Sequence, residues 1–95
     1  MPIFIKTEKF KKETLELSNS ERKNFLLMHK EWVKKISQFG HYIHSGYLIN
    51  EKKMPGGGGL LILEAKDYLT AKKIIENDPM IKNNLVIWDL QEWIS

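Results

Sequence analysis

The chain has 95 residues, of which 42% are apolar, and its 15 basic and 12 acidic side chains leave a net charge of +3. This length predicts one domain, residues 1–95. The near-balanced charge does not indicate a nucleic-acid partner. The absence of cysteine excludes disulfides and thiolate metal sites. No apolar run approaches the ~20 residues of a membrane span, and charged residues near the N-terminus interrupt any signal-peptide pattern, so we expect a cytoplasmic protein without a membrane partner.

The N-terminal part of the chain predicts a strand followed by a polar segment. Residues 2–7 are rich in Ile and Phe, as is typical of a short strand. Residues 8–17 form a polar stretch with no clear period. Four lysines lie near this boundary: Lys6, Lys9, Lys11 and Lys12. Because Glu8 and Glu13 interrupt them, we interpret this basic cluster as solvated surface rather than a phosphate-binding patch.

A capping-box pattern predicts where the long helix begins. A Ser18 hydroxyl can accept a hydrogen bond from the first free amides of a helix, and Glu21 can reach back toward the cap. The helix should continue to about Gln38 and end before Gly40, a predicted C-cap glycine.

The second half of the chain predicts three strands and one helix. Residues 41–51 alternate between two faces, as in a strand. Residues 54–59 contain four consecutive glycines and are predicted to be a loop, because glycine costs backbone entropy inside an element. The remaining elements are a third strand at 60–65, a helix from Asp67 to about Asn77 and a fourth strand at 85–94. This order predicts a ferredoxin-like βαββαβ α+β sandwich, with a four-stranded antiparallel sheet and both helices on one face.

The last predicted strand is apolar on both faces, which bears on assembly. One face carries Val86, Trp88, Leu90 and Ile94, and the other carries Leu85, Ile87 and Trp93. Two helices can cover only one face of the sheet, and the other apolar face also needs a cover. We therefore expect a homodimer formed through the open sheet face.

His29 interrupts the apolar stripe of the long helix. The apolar residues at helical spacing around it are Phe25, Met28, Trp32, Val33 and Ile36. A buried polar ring without a partner costs roughly 1–3 kcal/mol, so His29 needs a hydrogen-bonding neighbour. Histidine is also the side chain best suited to proton transfer near neutral pH.

Asp78 is the corresponding exception on the second helix. The stripe of Tyr68, Ala71, Ile74 and Ile75 continues onto Asp78, and Pro79 places this carboxylate at or just beyond the helix end. A negative charge is disfavoured there by the helix dipole. Two such exceptions on helices that share a sheet face predict a His29–Asp78 pair, in which Asp78 fixes the tautomer and leaves a ring nitrogen free as a base. The alternative is a satisfied core histidine and an ordinary Asp-Pro turn.

The other polar candidates indicate weaker roles. His41 and His44 are three residues apart on a predicted strand and point to opposite faces, so no metal site is predicted. Ser45 is expected to line the pocket by hydrogen bonding rather than to act as a nucleophile, because no base adjoins it in the sequence. Trp32 lies one helical turn from His29, where it either stacks on a ligand or packs in the core. The glycine run lacks the Lys-Ser/Thr ending of a phosphate loop, and no cofactor is predicted.

The order and spacing of these motifs resemble the YciI-like (YCII-related) family. The resemblance extends from residue 2 to residue 93 and rests on His29, Trp32-Val33, Ile36, Gly40, Ser45-Gly46, Leu48, the strand 60–65 and Asn77-Asp78-Pro79. It implies a ferredoxin-like fold that dimerises into an α/β barrel, with an active site on a histidine and an aspartate that here match His29 and Asp78. Ser45, Gly46 and Trp32 are the candidates for substrate binding.

Two departures keep the substrate class open. Tyr47 stands where the family often has proline, and the segment 8–19 is longer than usual. We predict a small dimeric enzyme in which His29, oriented by Asp78, serves as general acid and base in lyase- or isomerase-type chemistry on a small organic molecule. The alternative is a noncatalytic dimeric module that binds a small ligand or assists another enzyme.

Overall fold

The strands and helices form a two-layer α+β sandwich. The computed structural model describes residues 1–95, except for the side chain of Pro55. Its elements are β1 Ile3–Phe10, α1 Lys12–Leu15, α2 Asn19–Gln38, β2 Ile43–Ile49, β3 Pro55–Glu64, α3 Tyr68–Ile75, α4 Pro79–Lys82 and β4 Val86–Trp93. The strands pair in one antiparallel sheet in the order β2-β3-β1-β4, which confirms the predicted fold class. None of the helices in this described chain combines the length and apolarity needed to cross a membrane.

Local side-chain chemistry sets the helix starts, as predicted. The Ser18 hydroxyl accepts from the Glu21 amide at 3.1 Å, and it also lies 3.0 Å from the Glu21 carboxylate. Asp67 caps α3 by accepting from the Thr70 amide at 2.8 Å. Gly40 follows the end of α2 with a φ of 93°, a left-handed conformation that glycine adopts without steric cost.

The hydrophobic core lies between the helices and one face of the sheet. The two central strands contribute Phe4, Leu61 and Leu63, all fully buried, and α3 contributes Ala71 and Ile75. Alternate residues of β1 and β3 face this core because side chains on a strand alternate between its two sides. Burying each large apolar side chain contributes roughly 1.5–3 kcal/mol, so this layer holds the helices on the sheet.

The opposite sheet face remains open to solvent although it is rich in apolar side chains. More than half of the surface of each of these side chains is exposed: Tyr42, Leu48, Ile87 and Trp93. The central strands add Ile3, Ile5 and Ile62, which are partly exposed. Of the two apolar faces of β4 that the sequence indicates, the helices therefore cover one, and the other is open to solvent.

The predicted loop at residues 54–59 is wrong, because β3 already begins at Pro55. A β-carbon at Gly58 would lie 2.3 Å from the carbonyl oxygen of Glu8, and one at Gly59 would lie 2.9 Å from that of Gly46. Neighbouring strands approach so closely here that only glycine fits, and this packing overrides the entropic cost. The hairpin turn lies earlier, at residues 50–54, where the Asn50 side chain accepts from two backbone amides.

The polar stretch 8–17, which shows no clear period in the sequence, contains regular structure. β1 continues to Phe10, and residues Lys12–Leu15 form α1, whose Thr14 hydroxyl donates to the Leu85 carbonyl at 2.6 Å. Lys6, assigned to a solvated patch, is fully buried. Its strand position explains this difference, because Lys6 lies two residues after Phe4 and faces the helices with it.

We expect Gly58→Ala to lower the free energy of unfolding by about 1–3 kcal/mol, the usual cost of overpacking, because the new methyl group would meet backbone. Gly46→Ala is the matched control, since a β-carbon there meets no atom within 4 Å, and it should change stability by less than about 0.5 kcal/mol. Urea denaturation followed by circular dichroism measures both. Equal losses in the two variants would contradict the close-approach explanation.

Candidate active site

Asp78 lies between α3 and α4 and is fully buried. It follows α3, as the sequence predicts, but it is also the N-cap of α4. Its Oδ1 atom accepts from the Met80 amide at 3.0 Å, while Pro79 occupies the first turn of α4. The unfavourable position at a helix C-terminus is therefore offset, because the carboxylate also caps the next helix, where a negative charge is favoured.

His29 on α2 contacts Asp78 directly. The His29 Nδ1 atom lies 2.8 Å from Asp78 Oδ1, across 49 residues of sequence. An ionised carboxylate can only accept, so the hydrogen in this contact belongs to Nδ1. The neutral ring is then the Nδ1–H tautomer, and its Nε2 atom carries the free lone pair. The His29 side chain is 13% exposed, so the ring is mostly but not completely buried.

Ser45 on β2 contacts the other ring nitrogen. Its Oγ atom lies 2.9 Å from His29 Nε2, so the hydroxyl can donate to the lone pair. Asp78, His29 and Ser45 therefore form a continuous hydrogen-bonded line that joins three different elements. The sequence indicated Ser45 as a pocket residue but not its partner, because no local pattern relates a strand residue to a helix residue 16 positions away.

Lys6 completes the cluster and was missed as a site residue. Its Nζ atom lies 2.9 Å from Asp78 Oδ2 and also contacts the carboxylate of Glu8. Lysine is almost never fully buried unless it is paired, and here it has two acidic partners. The alternation of Phe4 and Lys6 on β1 was the available signal, because it places the lysine on the core face.

Opposing effects set the pKa of Asp78. Burial by itself raises this pKa, because the charged form loses its hydration. The hydrogen bond from His29 and the positive charge of Lys6 outweigh burial and hold the pKa of Asp78 below its ordinary value. The carboxylate is therefore ionised at neutral pH and can hold the imidazole in one orientation.

The remaining candidates divide between the two sides of the sheet. The ring centroid of Trp32 lies 5.8 Å from that of His29, and Trp32 also belongs to the buried core. Gly46 occupies a position on the open face, opposite to Ser45, so the structure does not bring it to His29. His44 shares that open face, while His41 precedes β2 instead of lying within it. Among the described side chains, no group of three acidic or histidine residues is arranged to bind a metal.

We expect Lys6→Met to lower the free energy of unfolding by about 3–5 kcal/mol, because it leaves two buried or half-buried carboxylates without their cation. Lys9→Met is the matched control: Lys9 is exposed on the same strand, and its loss should cost less than about 0.5 kcal/mol. Chemical denaturation at neutral pH measures both. If Lys6→Met proved as stable as the control, the ion pair would not support the fold.

Comparison with known proteins identifies the fold. No protein-family model matches the chain. No curated protein sequence matches it either. Among solved structures, it is similar to the 5-chloro-2-hydroxyhydroquinone dehydrochlorinase TftG of Burkholderia phenoliruptrix in complex with 2,5-dihydroxybenzoquinone, with 21% identity, a TM-score of 0.72 and coverage of 97% of this chain and 93% of that one.

A second likeness is to a protein without a natural ancestor. The de novo designed protein Ferredog-Diesel shares 13% identity with this chain at a TM-score of 0.61, with coverage of 96% of this chain and 84% of the designed one. At these identities the likenesses establish the architecture alone. The chain has the ferredoxin-like α+β fold that it shares with TftG.

Proposed function

We propose that this protein is a YciI-like enzyme that uses His29 as general acid and base in a lyase- or isomerase-type reaction on a small organic molecule. The observation that carries this proposal is the pair of contacts on the His29 ring. One nitrogen is held by the buried carboxylate of Asp78 at 2.8 Å, and the other lies 2.9 Å from the Ser45 hydroxyl. Proton abstraction from carbon requires a base with a defined tautomer and a lone pair that the substrate can engage, here the Nε2 lone pair once Ser45 releases it.

Each side chain has one role in this reaction. The His29 Nε2 atom takes a proton from a carbon next to an electron-withdrawing group, and Asp78 stabilises the resulting imidazolium. The proton then passes to the leaving group or to another carbon of the same molecule. Ser45 releases Nε2 on substrate binding and can donate to a substrate oxygen. Trp32 supports binding as a wall residue beside the ring, and its buried indole N–H has no partner among the described residues.

The fold neighbour TftG supports elimination as the reaction type. It is named as a dehydrochlorinase and its structure contains 2,5-dihydroxybenzoquinone. Loss of hydrogen chloride is an elimination, which requires removal of a proton. A histidine base of the kind described above would suit the same class of reaction in this chain.

We expect His29→Gln to lower the rate of proton abstraction by about 10²–10⁴-fold, the usual contribution of a general base. The assay incubates the protein with chlorinated and hydroxylated hydroquinones in deuterated water and follows chloride release and deuterium incorporation by NMR. Lys30→Gln is the control, because this lysine is exposed on α2 beside His29, belongs neither to the proposed site nor to the open sheet face, and should leave the rate unchanged. Full activity in a folded His29→Gln variant would refute the catalytic role.

A second candidate function is the binding of a small ligand in the same pocket without a chemical reaction. The Ser45 hydroxyl lies at hydrogen-bonding distance from His29 Nε2, so both ring nitrogens have partners, as in a structural histidine. The protein would then be a noncatalytic dimeric module that binds a small ligand or assists another enzyme. Ligand binding without any proton exchange that depends on His29 would favour this function.

We further propose a homodimer in which the open sheet faces pack against each other. The exposed apolar side chains on that face include Leu48, Ile87 and Trp93, and the central Ile62 lies among them. Exposed apolar patches of this kind mark interaction sites in soluble proteins. Two such faces are self-complementary under two-fold symmetry, as a dimeric barrel requires.

We expect Ile62→Glu to convert the dimer to a monomer, because the substitution would place two charges in a sheet-to-sheet interface. Leu69→Glu is the control, since Leu69 is exposed on α3 and should leave the dimer intact. Light scattering after size-exclusion chromatography measures the molecular mass. A wild-type protein that is monomeric at all concentrations would refute the dimer.

A further inference from the structure

A cavity of about 690 Å³ lies at one end of the helix layer, next to the hairpin of β2 and β3. Its apolar walls are formed by Phe10, Leu17, Phe25, Leu26, Met80 and Leu85. This volume falls within the roughly 300–1,000 Å³ of ordinary small-molecule sites, which are mostly apolar with a few polar groups. The cavity is therefore suited to an organic molecule with a large apolar part.

Two residues that line the cavity are neighbours of candidate site residues, although His29, Asp78 and Ser45 do not line it themselves. Tyr47, which lines it, follows Ser45 by two residues and points to the same side of β2. Met80, which also lines it, donates its backbone amide to Asp78. A molecule in the cavity would thus lie against the neighbours of the hydrogen-bonded line.

The long helix α2 connects the cavity to His29 along one face. Arg22 lies seven residues before His29, which is two helical turns, or about 10 Å along the axis. Phe25 and Leu26 lie on the turn between them, three and four residues from Arg22, so all four residues share one stripe. The stripe presents a cation, an apolar middle and the proposed base in that order.

The charge of the cavity is positive. Arg22 and Lys23 line it, and none of its lining side chains in the described chain is a carboxylate. The guanidinium of Arg22 hydrogen-bonds the neutral amide of Asn19 at 2.6 Å, which leaves its charge unneutralised. A cationic end beside apolar walls complements an anionic group on an apolar body.

We propose that this cavity binds an elongated organic acid. The anionic group lies at Arg22 and Lys23, an aromatic or other apolar body packs along Phe25 and Leu26, and the far end reaches His29. The site for the anion and the apolar body is independent of catalysis, and only the reacting end rests on the proposed function. Binding at the remote anion would orient the reacting carbon at the imidazole.

The first test compares biphenyl-4-carboxylate with its neutral analogue biphenyl-4-carboxamide. Each is titrated into nitrogen-15-labelled protein at neutral pH, and amide chemical shifts are followed. The acid should bind saturably, at least ~10-fold more tightly than the amide, and shift the cavity residues. Arg22→Gln should weaken binding of the acid about 10-fold without affecting the amide, whereas Lys34→Gln, the same charge change at an exposed position of α2, should affect neither.

A second variant tests the apolar part of the site. Leu26→Trp should fill the cavity and abolish binding of both probes. If that variant does not fold, the affinities of the acid and the amide for the wild type and for Arg22→Gln still test the proposed anion site. The proposal is overturned if the wild type binds neither probe, if both bind equally, or if the shifts are confined to the open face near Ile87 and Trp93.

Measurements of binding and of turnover distinguish failure of the proposed ligand class from failure of the proposed enzymatic function. His29→Gln should retain binding of biphenyl-4-carboxylate, because the anion contacts lie two turns away. Saturable binding without turnover that depends on His29 would overturn the enzyme but support the ligand class. Turnover that depends on His29 without binding of the acid would overturn the ligand class alone.

Discussion

The buried carboxylate of Asp78 is the interaction on which the helix layer, the sheet and the candidate site all depend. It accepts from His29 on α2, from Lys6 on β1 and from the Met80 amide at the start of α4. A buried charge with fewer partners would cost several kcal/mol, so each donor must stay in place. The same contacts that attach two helices to the sheet therefore also hold the imidazole of His29 in one tautomer. Asp78 therefore supports both the stability of the fold and the proton transfer that we propose for His29.

The glycines of β3 belong to this arrangement. Gly58 lets β3 approach the β1 backbone at Glu8, and Gly59 lets it approach the β2 backbone at Gly46. A β-carbon at Gly59 would also lie 3.5 Å from the Glu8 side chain. Glu8 in turn contacts Lys6, which neutralises Asp78. A segment whose composition is typical of a loop is thus the interior of a strand, packed closely against both neighbouring strands beside this ion pair. The entropic cost of glycine is offset by contacts that only neighbouring strands can form.

Features encoded by neighbouring residues were predictable. The caps at Ser18 and Asp67 depend on contacts three residues apart, and the two helix stripes placed His29 and Asp78 on the core side. The order of strands and helices then followed from periodicity, and with it the sandwich fold. Composition is a poor guide to environment at Lys6 and in β3. Lysine is usually solvated, yet the position of Lys6 two residues after Phe4 on an alternating strand places it on the core face.

The sequence by itself determined the types and order of the four strands and the two main helices, the caps of those helices and the two polar residues that interrupt apolar stripes. Those are properties of residues within one or two helical turns or strand steps. Only the tertiary structure decided that Ser45 and Lys6 meet the same pair, that the glycines lie inside β3, and that cationic Arg22 shares a cavity with the apolar residues before His29. The reason is that a buried charge needs hydrogen-bonding partners, and here these partners belong to distant segments. Which segments lie next to each other depends on how the strands and helices pack.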